Sequence, residues 1–309
     1  MEVFYNIDSL PAIENSITTI GFFDGVHLGH QKVLKQVVET AQQQNFKSVL
    51  LTFWPHPKSV INENEPFLLL NSIEEKLALF SKTQIDYVLV LPFTKEFSQL
   101  SAQNFISEYV IKALKTKKLV IGYDHRFGKD KEGGFDYLFA HQNEFGLEVV
   151  EILREDVDNM AVSSTRIRES ILAGDVDLAA QLLGYHYTIS GTVVHGNKLG
   201  RTIGFPTANV DVPFLQKLLP KNGVYAVKVL IDNQWLKAML NIGYKPTVGS
   251  TKLTIEANIF DFDADIYNQN ITIQFIARLR DEQKFNGLEA LVNQLNNDFL
   301  QASEVLKTF

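Results

Sequence analysis

The residues best suited to chemistry lie in one short segment near the N-terminus, where His27 and His30 flank Gly29. The segment follows an apolar run and precedes an amphipathic one, which indicates a strand that turns into a helix. A helix that begins here would offer backbone N–H groups and the positive end of its dipole, and both favour a bound phosphate. Two imidazoles could complete such an anion site.

The bare pattern leaves two other interpretations open, a histidine-rich surface loop and a weak metal site. The metal site is the less favoured of these, because no third histidine and no cysteine lies nearby. The neighbouring glycines Gly21 and Gly25 favour the anion site, because glycine lets the backbone approach a ligand closely, and Asp24 adds a compact acceptor.

Three further segments carry polar groups next to predicted strands or helices. Residues 122–129 contain Arg126 and Lys129, which could meet a phosphate, and the alternative is a basic loop. Residues 163–168 place hydroxyls before a helix-like run, and these could either cap the helix or bind an anion. Two arginines in the first turn favour the anion, because without one they would oppose the helix dipole. Residues 53–57 suggest a rigid turn, with His56 as a pocket-wall candidate.

Composition restricts the class of protein. The chain has 309 residues, 45% hydrophobic and 21% charged, which is enough for substantial cores and two domains. Its formal net charge of −7 argues against general affinity for nucleic acid or anionic membranes. Without cysteine there can be no disulfide and no thiolate nucleophile. The N-terminus has no signal-like segment and no run could span a bilayer, so we expect a cytoplasmic protein.

The first 185 residues alternate between strand-like and helix-like segments, which predicts an α/β domain with a mainly parallel sheet. The predicted strands are 16–23, 47–53, 86–92, 117–123 and 147–152, and the predicted helices are 31–44, 73–82, 102–116, 164–172 and 176–183. The histidine segment then lies beyond the carboxyl end of a strand, where open α/β sheets bind ligands.

From residue 186 onward the pattern changes to short β runs, which predicts an antiparallel barrel or sandwich. The predicted strands are 187–195, 224–231, 236–242, 253–260 and 271–278, and a terminal helix is predicted over 285–302. We therefore expect two domains, 1–185 and 186–309.

The second domain has its own candidate site. Thr207 and Asn209 stand two residues apart in an extended segment, which aims both oxygen-bearing side chains to one side. Such oxygens suit Mg²⁺ held jointly with a nucleotide phosphate. Glu256 alternates with apolar residues of a predicted strand, either as an exposed carboxylate or as a base that activates a hydroxyl for phosphoryl transfer.

These motifs, in this order over nearly the whole chain, resemble the bacterial bifunctional riboflavin kinase/FMN adenylyltransferase family, also called FAD synthetase. The motifs that carry the resemblance are 21–31, 53–57, 122–129, 163–168, 200–209, 223–227, 241–247, 261–263 and 278–280 with 284–285. The resemblance implies a Rossmann-like α/β nucleotidyltransferase domain, then a six-stranded antiparallel β-barrel of the riboflavin kinase type with a terminal helix. It implies that the barrel phosphorylates riboflavin to FMN and that the first domain transfers AMP from ATP to FMN, releasing pyrophosphate and giving FAD.

The resemblance also implies roles for individual residues. It makes Glu256, His27 and His30 catalytic, and Thr207 and Asn209 ligands of Mg²⁺. The implied ATP-binding residues are Gly21, Phe23, Asp24, His27, Gly29, His30, Ser164, Thr165, Arg168, Gly196, Gly204, Pro206, Thr207 and Asn209. The implied flavin-binding residues are Asp124, Phe127, Arg278 and Phe285. For the aromatic residues, a place in the core is an equally good explanation.

The chain departs from the family pattern at three positions. Asn258 stands where the family usually has histidine, and Ala264 and Asn268 stand where it prefers glycine. Asparagine can form hydrogen bonds but cannot titrate, so we assign Asn258 no acid–base role. Asparagine tolerates positive φ, which suits Asn268, while Ala264 is expected to alter its loop.

The expected ligands are riboflavin, FMN, FAD, ATP, ADP and pyrophosphate, with Mg²⁺ as cofactor, and neither nucleic acid nor a membrane. Oligomerisation is possible but not predicted. The alternatives are an enzyme with one active half, a relative that uses another acceptor in the first domain, and a flavin sensor that converts neither substrate.

Overall fold

The computed structural model describes residues 1–61, 67–122, 126–152, 156–157, 160–196, 199–214, 216–247 and 250–308. Contacts between residues divide the chain into two compact units, Met1–Ser164 and Thr165–Phe309. The domain boundary predicted at residues 185 and 186 falls later in the chain and stays a prediction.

The first unit is built on a parallel sheet, as predicted, with strand order β1-β4-β3-β2-β5-β6. The strands are β1 (Glu2–Phe4), β2 (Ser16–Ile20), β3 (Lys47–Trp54), β4 (Tyr87–Pro92), β5 (Thr116–Gly122) and β6 (Glu148–Ile152). The order runs outward from β2 to β3 and β4 on one side and to β5 and β6 on the other. Ligands of open α/β sheets bind where the strand order reverses in this way.

Helices cover both faces of this sheet. They are α1 (Leu28–Gln44), α2 (Pro57–Ile61), α3 (Ile73–Phe80), α4 (Ala102–Phe105), which continues as a π-helix over Ile106–Ala113, and α5 (Phe135–Phe145). Short 3₁₀ turns span Ile7–Ser9, Ser81–Thr83, Phe97–Gln99 and Lys129–Lys131. Side chains alternate along each strand, so Ile17 belongs to the core that contains α1 and Phe80, while Ile20 belongs to the core that contains Phe105 and α5.

The second unit contains a closed barrel with antiparallel strand pairs in the order β10-β13-β12-β11-β14-β9. The two short strands β7 (Asp156–Val157) and β8 (Met160–Ala161) precede helices α6 (Ser164–Ala173) and α7 (Val176–Leu183). The barrel strands are β9 (Thr188–Val194), β10 (Ala208–Asp211), β11 (Gly223–Ile231), β12 (Gln234–Thr247), β13 (Ser250–Ile259) and β14 (Asn270–Arg280). Helix α8 (Leu199–Thr202) precedes β10, and α9 (Leu288–Val305) follows the barrel and ends in a 3₁₀ turn, Leu306–Thr308.

The terminal helix α9 packs against the barrel through an apolar core that includes Met239, Ile276 and Ala302. A buried ion pair reinforces this packing. The guanidinium of Arg280 donates to both carboxylate oxygens of Asp298, at 2.8 and 2.6 Å, and Asp298 is completely buried. Because Asp298 of α9 is paired and hydrogen-bonded, its carboxylate can be buried where the helix meets the barrel.

The structure differs from the sequence predictions at several elements. Strand β1, helix α5 and strand β10 were not predicted, and α1 begins at Leu28 instead of Gln31. The earlier start has a local cause, because the ring of His27 caps the first turn of α1. His30 therefore lies inside the first turn, not at its start.

Candidate active sites

A strained turn joins β2 to α1 and carries the candidate anion site. Phe23 and Val26 have φ values of 51° and 36°, a region that residues other than glycine rarely adopt, and Gly25 has φ 86°. The ring of Phe23 lies against Gly21, where an added Cβ would come within 2.7 Å of it. Strain of this kind concentrates at functional sites, where the surrounding structure supports it.

The two histidines meet at the end of this turn. Their rings are stacked, with centroids 3.6 Å apart and planes 16° apart. Nδ1 of His27 accepts a hydrogen bond from the backbone N–H of His30 at 3.3 Å, so a neutral His27 ring carries its proton on Nε2. The predicted pairing of the two imidazoles at a helix N-terminus is therefore present.

The surroundings of His30 favour a neutral ring in the absence of a ligand. Burial, followed by the nearby charges of His27 and Lys76, holds the pKa of His30 well below its ordinary value of 6.5. Among the described residues, Nδ1 of His30 has no hydrogen-bond partner. A bound anion would supply the missing counter-charge and would favour a proton on the ring.

Asp24 holds the turn in place through hydrogen bonds of its side chain and its backbone. Its buried carboxylate accepts hydrogen bonds from the backbone N–H groups of Leu70, at 3.2 Å, and Asn71, at 3.3 Å. Its backbone carbonyl accepts a hydrogen bond from Oγ of Ser164 at 2.8 Å. The Ser164 hydroxyl, predicted to cap a helix, thus binds the backbone of the turn. Thr165 and Arg168 lie in the first turns of α6.

Lys76 is a residue of this site that the sequence analysis missed. Its side chain is 3% exposed, and Nζ donates a hydrogen bond to the backbone carbonyl of Phe22 at 3.1 Å. Nζ also lies 5.3 Å from the ring centre of Trp54. The sequence did contain a signal, because Lys76 falls on the apolar stripe of α3 between Ile73 and Phe80.

The basic segment around Phe127 is only partly described, and Asp124 lies outside the described residues. The backbone of Phe127 pairs with that of Gly133, and its ring packs against Phe105 with centroids 5.5 Å apart. His56 stacks on Phe67 with centroids 4.7 Å apart. The flavin contact predicted for Phe127 stays a prediction.

In the second unit, three predicted residues lie on one face of the barrel wall. Asn209 of β10 pairs directly with Glu256 of β13, and directly opposed residues of antiparallel strands share a face. The hydroxyl of Thr207 donates to Oε2 of Glu256 at 3.4 Å. The Asn209 carboxamide lies against Gly196, where an added Cβ would come within 2.6 Å of its Cγ.

A cleft of about 780 Å³ opens beside this wall. Its lining residues are Val193, His195, Arg201, Pro206, Thr207, Ala208, Ala257, Ile259, Phe262, Asp263, Ala264, Asp265, Ile266 and Tyr267. Thr207 therefore belongs both to the cleft and to the contact with Glu256, a residue that does not line the cleft. A ligand bound in the cleft and a second ligand bound beside Glu256 could therefore contact each other at Thr207.

Comparison with known proteins identifies the family. A family model described as FAD synthetase matches residues 10–166, and one described as riboflavin kinase matches residues 183–306. The bifunctional riboflavin kinase/FMN adenylyltransferase of Listeria monocytogenes is 42% identical over 92% of this chain and 90% of its own length. The enzyme of the same name from Escherichia coli K12 is 37% identical over 97% and 95%. The chain belongs to the bifunctional riboflavin kinase/FMN adenylyltransferase family.

A solved structure is similar to this chain in fold over almost its whole length. A crystal structure described as a macrolide-efflux protein from Streptococcus pneumoniae is 34% identical, covers 98% of both chains and has a TM-score of 0.89. Within the part of this chain that the structure describes, no helix combines the length and apolar character needed to cross a membrane.

Two departures from the family pattern are accommodated by local contacts. Asn258, where the family usually has histidine, is 8% exposed, and its Nδ2 donates to the carbonyl of Pro206 at 2.7 Å. Asn268 adopts φ 63°, the left-handed conformation that asparagine tolerates. Ala264 is exposed in the loop that lines the cleft.

The remaining barrel residues named from the family pattern lie in structured surroundings. Gly204 has φ 83°, a conformation that would strain any other residue, although an added Cβ would meet no neighbouring atom of the described residues. Arg278 donates through Nη2 to the carbonyl of Asn222 and to Asp281, both at 2.7 Å. The guanidinium carbon of Arg280 lies over the ring of Phe285, 5.8 Å from the centre of that ring. The flavin contacts predicted for Arg278 and Phe285 stay predictions.

Proposed function

We propose that this chain converts riboflavin to FAD in two ATP-dependent steps. The barrel transfers the γ-phosphoryl group of ATP to riboflavin, and the α/β domain transfers AMP from a second ATP to the resulting FMN. One observation supports this above all: each half of the chain matches its own family model, FAD synthetase over residues 10–166 and riboflavin kinase over residues 183–306.

Both steps balance without a protein nucleophile. In the first, the 5′-hydroxyl oxygen of riboflavin bonds to the γ-phosphorus, the bond to the β,γ-bridging oxygen breaks, and ADP leaves. In the second, a phosphate oxygen of FMN bonds to the α-phosphorus of ATP and pyrophosphate leaves. Catalysis then depends on positioning and on neutralising charge.

In the α/β domain, His27 and His30 would stabilise the negative charge that develops as pyrophosphate leaves. Ser164, Thr165 and Arg168 are proposed to hold the same phosphates. The proposed role of the turn residues, Gly21, Phe23, Asp24 and Gly29, is to shape the backbone around the nucleotide. The stacked imidazoles support the first assignment, because an anion would relieve the repulsion between two protonated rings.

In the barrel, Glu256 would accept the proton of the riboflavin 5′-hydroxyl. ATP would occupy the cleft, with Gly196, Gly204 and Pro206 beside it and its phosphates near Thr207. The contact of Thr207 with Glu256 supports this arrangement, because it brings the cleft next to the carboxylate. A base must lie within hydrogen-bond reach of the proton that it removes.

Thr207 and Asn209 are proposed to hold Mg²⁺ together with the phosphates of ATP, where the metal would neutralise phosphate charge. Their hydroxyl and carboxamide oxygens suit this ion, and Glu256 stands on the same face. Within the described residues no group of three or more histidine, cysteine or acidic residues could hold a metal ion. Two oxygen-bearing side chains suit Mg²⁺ that arrives with a nucleotide, since Mg²⁺ commonly keeps waters and phosphate ligands.

Flavin contacts are proposed for Phe127, Arg278 and Phe285, and for Asp124 outside the described residues. The cytoplasmic location stays a prediction, and the oligomeric state is left open.

The test is incubation of the purified chain with riboflavin, ATP and MgCl₂, followed by chromatographic separation of the flavins. We expect FMN to form first and FAD to follow, and omission of MgCl₂ in the presence of EDTA to stop both. FMN without FAD would leave only the kinase, and no conversion would favour a flavin-sensing protein.

A further inference from the structure

Lys76 is a buried cation with no role in the two proposed reactions. Its side chain is 3% exposed, and one of its three N–H bonds is donated to the carbonyl of Phe22. Lysine is seldom buried to this extent unless it is paired. Its burial in α3 therefore requires either a structural reason or a functional one.

The contacts of Lys76 converge on the turn that carries the histidines. Phe22 and Asp24 belong to this turn, and the Asp24 carboxylate is the nearby charge that favours the protonated lysine. Trp54, at the end of β3, places its ring 5.3 Å from Nζ. On α3 itself, Glu74 and Glu75 bind Ser72 at the start of the helix.

The charge of Lys76 also affects the pKa of His30 in the candidate anion site. Burial lowers the pKa of Lys76 from 10.5 to about 8, so the amine is still largely protonated at neutral pH. Lys76 and His27 are the two charges that lower the pKa of His30. Three basic groups therefore lie together beside a helix N-terminus, with one carboxylate, Asp24, facing them.

We propose that Lys76 is a positioning residue for adenylyl transfer: its buried ammonium group holds the turn that carries His27 and His30 and adds a positive charge for the nucleotide phosphates. The inference rests on the proposed function of the α/β domain. It deepens that function, because it assigns part of the phosphate affinity to a residue of a different element, α3.

Three substitutions separate the two parts of this role. Lys76→Met removes both the hydrogen bond and the charge, Lys76→Gln keeps a donor for Phe22 without the charge, and Lys76→Arg keeps both. Lys82→Met is the matched control, because it removes the same charge from an exposed position near the end of the same helix. The circular dichroism spectrum of each variant reports whether the α/β unit is folded, and formation of FMN from riboflavin reports whether the barrel is intact.

We expect Lys76→Met to lower kcat/KM for ATP in FAD formation by about tenfold to a hundredfold. Lys76→Gln should also show a loss, Lys76→Arg should recover part of the activity, and Lys82→Met should equal the wild type. FMN formation should be unchanged in all four. The melting temperature of Lys76→Met should fall, because the buried Asp24 carboxylate loses its nearby positive charge and the Phe22 carbonyl loses its donor.

A titration of the histidine ring signals by NMR, with His30→Gln used for assignment, gives a readout that a merely structural role would not move. The pKa of His30 should rise in Lys76→Met and Lys76→Gln and stay low in Lys76→Arg. Wild-type FAD formation in Lys76→Met and Lys76→Gln, or a loss of FAD formation with an unchanged His30 pKa, would overturn the inference. If Lys76→Met loses the wild-type circular dichroism spectrum or FMN formation as well, it has failed to fold, and the Lys76→Gln and Lys76→Arg variants decide the question.

The failure of the proposed function is recognised separately. A wild-type chain that makes no FAD from FMN and ATP would overturn the proposed function and this inference together. A wild-type chain that makes FAD while the Lys76 variants match it would overturn the inference alone.

Discussion

Two imidazole rings 3.6 Å apart cannot both carry a proton cheaply without a counter-charge. A bound anion would therefore favour protonation of the His27–His30 pair, in line with the proposed role of the two rings. The sequence predicted the pair and its place at a helix N-terminus, because glycine and histidine followed an apolar run. The sequence analysis missed Lys76 although it falls on the apolar stripe of α3, because its glutamate neighbours resemble a solvated helix face and its burial depends on tertiary contacts.

Acid stability should depend on His30. Its pKa lies well below 6.5 in the folded protein, so the unfolded chain binds a proton over a pH range in which the folded protein does not. The stability linked to His30 is therefore fully present above about pH 6.5 and is lost as the pH falls toward the folded pKa. We expect the free energy of unfolding to decline less steeply with acid in His30→Gln, by up to about 1.4 kcal/mol per pH unit.

Urea titrations of the wild type and His30→Gln at a series of pH values measure this difference. His141→Gln, which replaces a half-buried histidine on α5, serves as the control. Equal slopes in the wild type and His30→Gln would contradict the assignment.

Asn258 should support phosphoryl transfer without taking part in proton transfer. Its bond to the Pro206 carbonyl holds the segment that carries Thr207. Asn258→Leu leaves that carbonyl without its partner, at a cost of about 1–3 kcal/mol, and we expect FMN formation to fall by about tenfold or more. Asn258→His, the usual family residue, should retain activity.

Both Asn258 variants should make FAD from supplied FMN at the wild-type rate, which separates a local effect from misfolding. The result that counts against this role is normal FMN formation in Asn258→Leu.

At the scale of elements, the sequence predicted long, strongly patterned strands better than short ones. Strand β10 has only four residues and carries polar side chains, so its pairing with β9 and β13 determines it more than its own pattern does. This strand nevertheless carries Asn209 and closes the barrel. The residue spacing predicted the shared direction of Thr207 and Asn209, but only the strand register shows that Glu256 stands opposite them.

The docking of α9 should depend on one carboxylate. Asp298 is fully buried and accepts hydrogen bonds from Arg280 and from Gln294, the latter at 2.9 Å. Asp298→Asn leaves the buried guanidinium without its counter-charge, and we expect a loss of about 3–5 kcal/mol in the free energy of unfolding of the barrel unit.

Thermal or urea unfolding followed by barrel activity measures the loss. The double variant Arg280→Met/Asp298→Leu should regain much of it, because no charge is then buried. An Asp298→Asn protein as stable as the wild type would show that the ion pair does not hold α9.

At the scale of the whole molecule, the two activities should be separable because the residues proposed for catalysis, His27 and His30 on one hand and Glu256 on the other, lie in different units. The parallel sheet and the barrel could be predicted from the change in hydrophobic periodicity between the two halves. The boundary at residues 185 and 186 stays a prediction: α6 and α7 continue the helical pattern of the first half, whereas the contact division places Thr165–Phe309 together.

The most direct measurement compares His27→Ala and Glu256→Gln, alone and mixed, with riboflavin, ATP and MgCl₂. We expect His27→Ala to make FMN normally but FAD more slowly, by roughly a few hundredfold. Glu256→Gln should make FAD from supplied FMN but little FMN from riboflavin, and the mixture should convert riboflavin to FAD. Full FAD formation by His27→Ala, or unchanged FMN formation by Glu256→Gln, would contradict the two-site account.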